Sequence, residues 1–227
     1  MITKDSLQFL ADLKANNNRY WFLNNKKRYE LFKKDYHQLV GSFLDAMKPL
    51  DPSLELLEIK NCTFRINRDI RFSKDKTPYK THLSVWMSSG TKGNNRSGYY
   101  IHIEKDKSFI AGGLYCPEAE DLKKIRKEID YSGAELERIE NDPEFKKLFP
   151  SIEGDKLKTS PRDYEAEHPY IEYLKLKSFT VSHPISDKAV DSGAFMTFAL
   201  DGFRTMKPFN DFLRKAIEEV EDGSGLL

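Results

Sequence analysis

Cysteine is scarce in this chain of 227 residues, which contains only Cys62 and Cys116. Two thiols do not make a disulfide framework, so a small secreted scaffold held together by cross-links is excluded. Long apolar runs are also lacking, and no segment approaches the length needed to span a bilayer. The N-terminus, MITKDSLQFL, does not resemble a secretory signal. We therefore expect a cytoplasmic globular protein with reduced cysteines and no membrane contact.

The chain also lacks a net charge of either sign, since 37 Lys and Arg side chains face 36 Asp and Glu side chains. Domains that bind duplex DNA broadly are usually markedly basic, so duplex DNA is not an expected partner. Neither a G-x-G-x-x-G fingerprint nor a Walker motif is present. No cofactor is predicted.

Positive charge is nevertheless concentrated in residues 62–82, CTFRINRDIRFSKDKTPYKTH. The segment carries six cationic side chains against only Asp69 and Asp75; the six are Arg65, Arg68, Arg71, Lys74, Lys76 and Lys80. A local excess of this kind usually faces an anion or pairs with acidic side chains elsewhere in the fold. The segment is therefore the first place to look for a ligand.

Alternation within this segment predicts a β-strand with one buried face, formed by Phe64, Ile66, Ile70 and Phe72. Arg68 falls among these apolar positions, where an unpaired guanidinium is very costly. Three outcomes are open: Arg68 anchors an internal ion pair, it contacts a ligand, or a bulge turns it toward the other arginines. Residues 73–78 then form an exposed loop ending at a proline.

Three further strands are predicted after this loop, at 79–87, 99–104 and 108–115. Pairing of the first two places His82 near Glu104, and Ser84 near His102, on a shared face. Two histidines and a carboxylate are metal-ligand types. Cross-strand histidines more often donate hydrogen bonds to their neighbours, however, and no further strong ligand is evident, so no metal is predicted.

Helices are predicted at both ends of the chain. Thr3 caps the first, a second runs to about Met47, residues 118–147 are helical, and residues 194–220 form an aromatic helix that Pro208 breaks or restarts. Another strand is predicted at 176–181. The fold class is α+β: a mostly antiparallel sheet of about five strands flanked by N-terminal and C-terminal helices. Residues 1–222 form a single domain, and 223–227 form a flexible tail.

Several motifs resemble a known family. They are RINRDIRFSKDKTPYKTHLS, GYYIHIE, the GGLY run before a Pro-Glu helix start, and HPYIEYLKLKSF. Together they are similar to the bacterial and fungal domain of unknown function family number 2461, from the region of Trp21 and Phe22 to the last helix. The resemblance implies an α+β domain and no established activity. Cys116 and Asp163 depart from the family pattern, so neither is given a family-wide role.

Three functional hypotheses follow from the cationic segment. The first is a module that binds an anionic small molecule or nucleotide in a basic cleft, through Arg65, Arg68, Arg71, Lys74, Lys76, Tyr79 and Lys80, with Arg162 closing over the anion. The second is a phosphoester hydrolase that uses the same arginines, with His82 or Asp75 handling the proton. The third is a scaffold whose arginines serve only as internal ion-pair partners. The anion-binding hypothesis requires the cationic groups to meet in a hollow that lacks enough carboxylates to neutralise them.

Overall fold

Three helices open the chain in a computed structural model that describes residues 2–89 and 96–218. They are α1 (Lys4–Ala15), α2 (Arg19–Asn24) and α3 (Lys26–Met47). The N–H of Ser6 donates to Oγ1 of Thr3 at 3.2 Å, so Thr3 is the N-cap that the sequence predicts. Asn18 caps α2 in the same way, accepting from the N–H of Trp21 at 2.9 Å.

Four strands form one antiparallel sheet in the order β1-β2-β3-β4. They are β1 (Leu83–Ser88), β2 (Gly98–Ile103), β3 (Ser108–Leu114) and β4 (Phe179–Ile185). The α+β class with helices at both ends is confirmed. The described residues contain four strands, so the predicted number of about five is slightly too high.

The strand predicted over residues 64–72 is the one that does not form. This stretch makes isolated bridges only, from Thr63 to Val85 and from Asn67 to Tyr79. Its aromatic side chains have no core to enter, because Phe64 is 45% exposed and Phe72 is 95% exposed. Alternation predicts a strand only where one face of the segment is buried. Here the first and last apolar residues of the segment, Phe64 and Phe72, are both exposed.

Further helices precede and follow the sheet. They are a 3-10 helix (Pro52–Leu54), α4 (Ile59–Cys62), α5 (Ala119–Glu140), α6 (Pro143–Leu148), α7 (Ile171–Leu174), α8 (Asp187–Val190) and α9 (Phe195–Glu218). The helical region predicted at 118–147 is two helices, since Asp142 caps α6 by accepting from the N–H of Phe145 at 3.1 Å. Pro208 lies inside α9 without ending it, so the predicted break is wrong. No helix in 2–89 or 96–218 combines the length and apolar character that crossing a bilayer requires.

The chain divides into two compact units. The first contains residues 2–87, 100–110 and 184–201, and the second contains 88–89, 96–99, 111–183 and 202–218. In the first unit Phe43 packs edge-on against Phe195, with ring centroids 6.0 Å apart. In the second, Phe145 packs against Phe209 at 6.1 Å. Residues 90–95, which join β1 to β2, and the predicted tail at 223–227 lie outside the described residues.

Candidate functional site

A cleft of about 230 Å³ lies in the first unit, between α3 and the chain on either side of residues 67–79; we call these residues the cationic loop and the cleft the basic cleft. Its basic and imidazole side chains are Lys33, His37, Arg65, Lys80 and His82, and its aromatic ones are Tyr29, Phe32, Tyr36 and Phe64. None of the described residues that line it is Asp or Glu. Of the residues predicted to bind a ligand, Arg65 and Lys80 are the two that reach this cleft.

Lys80 is the cation of the basic cleft that is least exposed to water. Its Nζ lies 5.0 Å from the centroid of the Phe64 ring, a cation–π contact. Burial lowers the pKa of the Lys80 ammonium, and the positive charge of Arg65 lowers that pKa further. Among the ion pairs of the described residues, none involves Lys80, Arg65 or Lys33. These three cations therefore have no carboxylate in ion-pair contact; Asp69, which interacts electrostatically with Arg65, is paired with Arg71 and does not line the cleft.

Arg68 is held inside the turn that follows it. Its Nη1 donates to Oδ2 of Asp75 at 2.5 Å and to the carbonyl of Thr77 at 3.1 Å. The Asp75 carboxylate also accepts from the backbone N–H of Thr77 at 2.9 Å. Of the three outcomes left open for Arg68, the internal ion pair is the one found. The Asp75 carboxylate accepts hydrogen bonds from three donors, one on Arg68 and two on Thr77.

A second cleft of the first unit is lined by Arg68, Asp69, Asp75 and Lys80, among others. Neither this cleft nor the basic cleft is lined by Arg71, Lys74 or Lys76. Arg71 makes a two-pronged pair with Asp69, from Nε to Oδ1 at 3.0 Å and from Nη2 to Oδ2 at 2.7 Å. Lys76 donates from Nζ to the carbonyl of Ile70 at 2.9 Å. Lys74 is exposed. The six cations of the segment thus separate into a pair that reaches the basic cleft and four that do not line it.

Two other predicted residues are placed away from the basic cleft. Tyr79 is buried, and its ring stacks on that of Phe22 with centroids 4.1 Å apart. Arg162 is exposed and belongs to the second unit.

A histidine cluster lies at the start of β1 and the end of β2, and consists of His82, His102 and Glu104. One potential ligand atom from each of the three lies within 4.8 Å of the others. The rings of His82 and His102 are 4.4 Å apart between centroids, and the predicted closeness of His82 to Glu104 is also found. Burial, followed by the neighbouring His102, lowers the pKa of His82 to about 4. Burial also lowers the pKa of His102, so both imidazoles are neutral near pH 7.

Glu104 carries the negative charge of the histidine cluster. Its Oε1 accepts from Nζ of Lys14 at 2.9 Å. Burial alone would raise the pKa of the Glu104 carboxyl, but the hydrogen bonds of Lys14 and His102 and the charge of Lys14 outweigh it, and the pKa lies below its usual value. Lys14 in turn has its pKa raised by the hydrogen bond to Glu104.

Lys33 and His37 are the lining residues that sequence reasoning missed. Both belong to α3, four positions apart and therefore on the same side of the helix. Their spacing places them beside Tyr29 and Tyr36, which belong to the apolar stripe of α3. This spacing is the signal in the sequence that could have identified them as lining residues. Tyr36 itself is not available to a ligand as a donor, because its hydroxyl donates to the carbonyl of Ser84 and accepts from the N–H of Phe64.

Comparison with known proteins gives one match. A family model described as "Conserved hypothetical protein (DUF2461)" matches residues 5–212 of the chain. No curated protein and no solved structure matches it significantly.

Proposed function

Because the chain belongs to the DUF2461 family of conserved hypothetical proteins, a description that names no activity, we propose from the site itself that it binds a phosphate-bearing small ligand in the basic cleft. The observation that supports this most is the lining, where Lys33, Arg65 and Lys80 gather and no carboxylate is found among the described lining residues. The family resemblance expected from the sequence is confirmed over nearly the whole chain. The binding of a phosphate-bearing ligand is what we propose.

The electrostatic argument concerns Lys80. Its ammonium is partly removed from water and lies close enough to Arg65 for the two charges to repel, and both effects lower its pKa. An anion bound between these groups replaces lost hydration with charge-assisted hydrogen bonds and screens the repulsion. A phosphate is therefore expected to bind these cations more strongly than it binds the paired arginines. Arg71, for example, already donates two hydrogen bonds to Asp69.

The size of the cleft limits the ligand. Pockets for drug-sized molecules usually enclose about 300–1,000 Å³, and the basic cleft encloses about 230 Å³. This volume favours a phosphate group with a small organic portion, or the phosphate end of a nucleotide whose base lies outside. Aromatic side chains of α3, among them Tyr29 and Phe32, provide apolar surface for the organic portion.

Binding is favoured over phosphoester hydrolysis by the state of the two predicted proton-transfer groups. His82 has a pKa of about 4, far below the value that suits proton transfer near neutral pH. Asp75 is hydrogen-bonded to Arg68 and Thr77. The scaffold hypothesis explains Arg68 and Arg71, which are paired, but it gives no role to the unpaired cations of the cleft.

The test is calorimetric titration with inorganic phosphate and with a nucleoside monophosphate. Lys80→Met keeps the alkyl stem over Phe64 and removes the charge, and Arg65→Gln removes the second cation. Each is expected to weaken binding by about tenfold or more, the amount that one charge-assisted hydrogen bond supplies. Binding by the unaltered protein is expected to weaken as salt is added.

Arg71→Gln is the matched control, because it removes a guanidinium from the same segment but outside the cleft. It is expected to leave the affinity unchanged. Absence of saturable binding, or an equal loss in Arg71→Gln and Lys80→Met, contradicts the proposal. Turnover of a generic phosphoester that is lost in His82→Ala while binding is retained would move the assignment to the hydrolase.

A further inference from the structure

The histidine cluster has the composition and spacing of a metal site. Its three residues supply two imidazoles and one carboxylate within 4.8 Å of one another. The side chains are largely buried, with His102 13% exposed and Glu104 15% exposed. We propose that His82, His102 and Glu104 bind a divalent transition-metal ion of the Zn²⁺ type. This site differs in charge from the proposed phosphate site, because its ligand atoms are neutral or negative, and His82 is the residue that the two sites share.

Hydrogen bonds around His102 allow the tautomer that a metal needs. The hydroxyl of Tyr100 lies 2.9 Å from Oγ of Ser84 and 3.1 Å from Nδ1 of His102. When this hydroxyl donates its proton to Ser84, Nδ1 carries a proton and donates it to Tyr100. A neutral imidazole protonated at Nδ1 has its lone pair on Nε2. Metal-bound histidines usually donate their other ring N–H to a partner in this manner.

In that tautomer the lone pair of His102 faces another acceptor. Nε2 lies 3.5 Å from Oε2 of Glu104, at the outer limit of a hydrogen bond, and only the other tautomer places a proton between the two atoms. Two facing acceptors repel unless a cation lies between them. Ligands about 2.1 Å from a tetrahedral zinc ion are about 3.4 Å apart, which fits this separation.

The other contacts hold both ligands in place. Lys14 occupies Oε1 of Glu104 at 2.9 Å, which leaves Oε2 for the cluster. Phe109 stacks on the His102 ring, with centroids 5.0 Å apart and planes 14° from parallel. The three ligand atoms lie within 4.8 Å of one another, and binding to one tetrahedral ion would bring each pair of them to about 3.4 Å.

Three protein ligands leave a coordination position for water or a ligand, as in catalytic rather than structural zinc sites. His82 also lines the basic cleft. By contrast, His168 of the second unit pairs with Asp130 at 3.0 Å, and no third ligand joins them among the groups of three or more found in the described residues.

The test uses the full chain, freed of metal by a chelator and titrated with Zn²⁺ in a calorimeter and with Co²⁺ by visible absorption, in buffer without phosphate. One ion per chain is expected, with the intense visible bands of low-coordinate Co²⁺. His102→Ala and Glu104→Gln are expected to weaken binding about 100-fold. Tyr100→Phe, which removes only the partner of Nδ1, is expected to weaken it by about 10- to 100-fold.

His168→Ala is the control, since it removes a histidine paired with a carboxylate but no proposed ligand, and it is expected to bind Co²⁺ as the unaltered protein does. The proposal is overturned if no saturable one-to-one binding occurs, or if Glu104→Gln and His168→Ala behave alike. Glu104→Gln preserves shape, so it serves if His102→Ala does not fold, as judged by circular dichroism. Failure of phosphate binding with intact Co²⁺ binding would affect only the proposed function.

Discussion

The rings of Phe22 and Tyr79 stack face to face, with centroids 4.1 Å apart and planes within 18° of parallel. Asn17 fixes the backbone of Tyr79 in the same region: its Nδ2 donates to the Tyr79 carbonyl at 2.8 Å, and its Oδ1 accepts from the Tyr79 N–H at 3.0 Å. The chain that leaves the cationic loop is thereby attached to α1 and α2 before β1 begins. Tyr79 acts as an anchor for the loop.

We expect Tyr79→Ala to lower the free energy of unfolding by about 3 kcal/mol, because a buried aromatic ring and its stacking partner are lost. Tyr79→Phe keeps the ring and is expected to change stability little. Urea denaturation followed by fluorescence measures both. If Tyr79→Phe instead abolishes phosphate binding at unchanged stability, Tyr79 contacts the ligand through its hydroxyl and is more than an anchor.

The cationic loop shows why the sequence predicted the sheet well and this segment poorly. Strands β1, β2 and β3 are buried over most of their length, and their positions agree with the predictions to within a few residues. In the loop, side chains compete for the backbone: Asp69 accepts from the N–H of Arg71 at 3.3 Å, and Asp75 accepts from that of Thr77 at 2.9 Å. Such local hydrogen bonds replace a strand ladder, and alternation does not reveal them.

The candidate site was predictable only in part for a related reason. Arg65 and Lys80 were found because they belong to a segment rich in charge. Lys33 and His37 reach the same cleft from α3. Their helical spacing places them on one side of α3, but which segment packs against that side arises from tertiary packing that no local pattern encodes. The closeness of His82 to Glu104 was predictable because strand register relates distant positions directly.

Cys62 gives a prediction about alkaline pH. Burial raises the pKa of its thiol from 9.0 to about 11, whereas the thiol of the unfolded chain ionises near its ordinary value. The neutral thiol therefore contributes its full stability below about pH 9, and that contribution is lost as pH rises from about 9 to 11. The loss is expected to be about 2–3 kcal/mol. Urea denaturation between pH 8 and pH 11 measures it.

Cys62→Ala is the control for this prediction, since other groups also titrate in that range. The difference in unfolding free energy between the unaltered protein and Cys62→Ala is expected to shrink as the pH rises. A difference that stays constant from pH 8 to pH 11 would show that the thiol has the same pKa in both states.

Gly133 of α5 is required by the ring of Tyr170. A Cβ placed at Gly133 would lie 2.2 Å from Cδ2 of that ring, a distance that no packing allows. We expect Gly133→Ala to lower the free energy of unfolding by about 1–3 kcal/mol through overpacking. In a Tyr170→Ala background the same change is expected to be neutral or stabilising, because alanine favours a helix over glycine by about 1 kcal/mol. An equal loss in both backgrounds would show that the ring is not the cause.

Asn210 of α9 satisfies buried backbone groups of two strands in the second unit. Its Oδ1 accepts from the N–H of Gly113 at 2.9 Å, and its Nδ2 donates to the carbonyl of Gly98 at 3.1 Å. The side chain is fully buried. Only a side chain with an acceptor and a donor on adjacent atoms satisfies both groups, so an amide is required at this position.

Asn210→Leu and Asn210→Asp separate the two roles of this amide. Asn210→Leu keeps an apolar volume but leaves both backbone groups without partners, and we expect it to cost about 2–4 kcal/mol of unfolding free energy. Asn210→Asp retains the acceptor for Gly113 but places a carboxylate against the carbonyl of Gly98. We expect its stability to recover as the pH falls and the carboxyl gains a proton that it can donate. A pH-independent Asn210→Asp in urea denaturation would mean that the contact with Gly98 contributes little, and that the amide acts mainly through its acceptor.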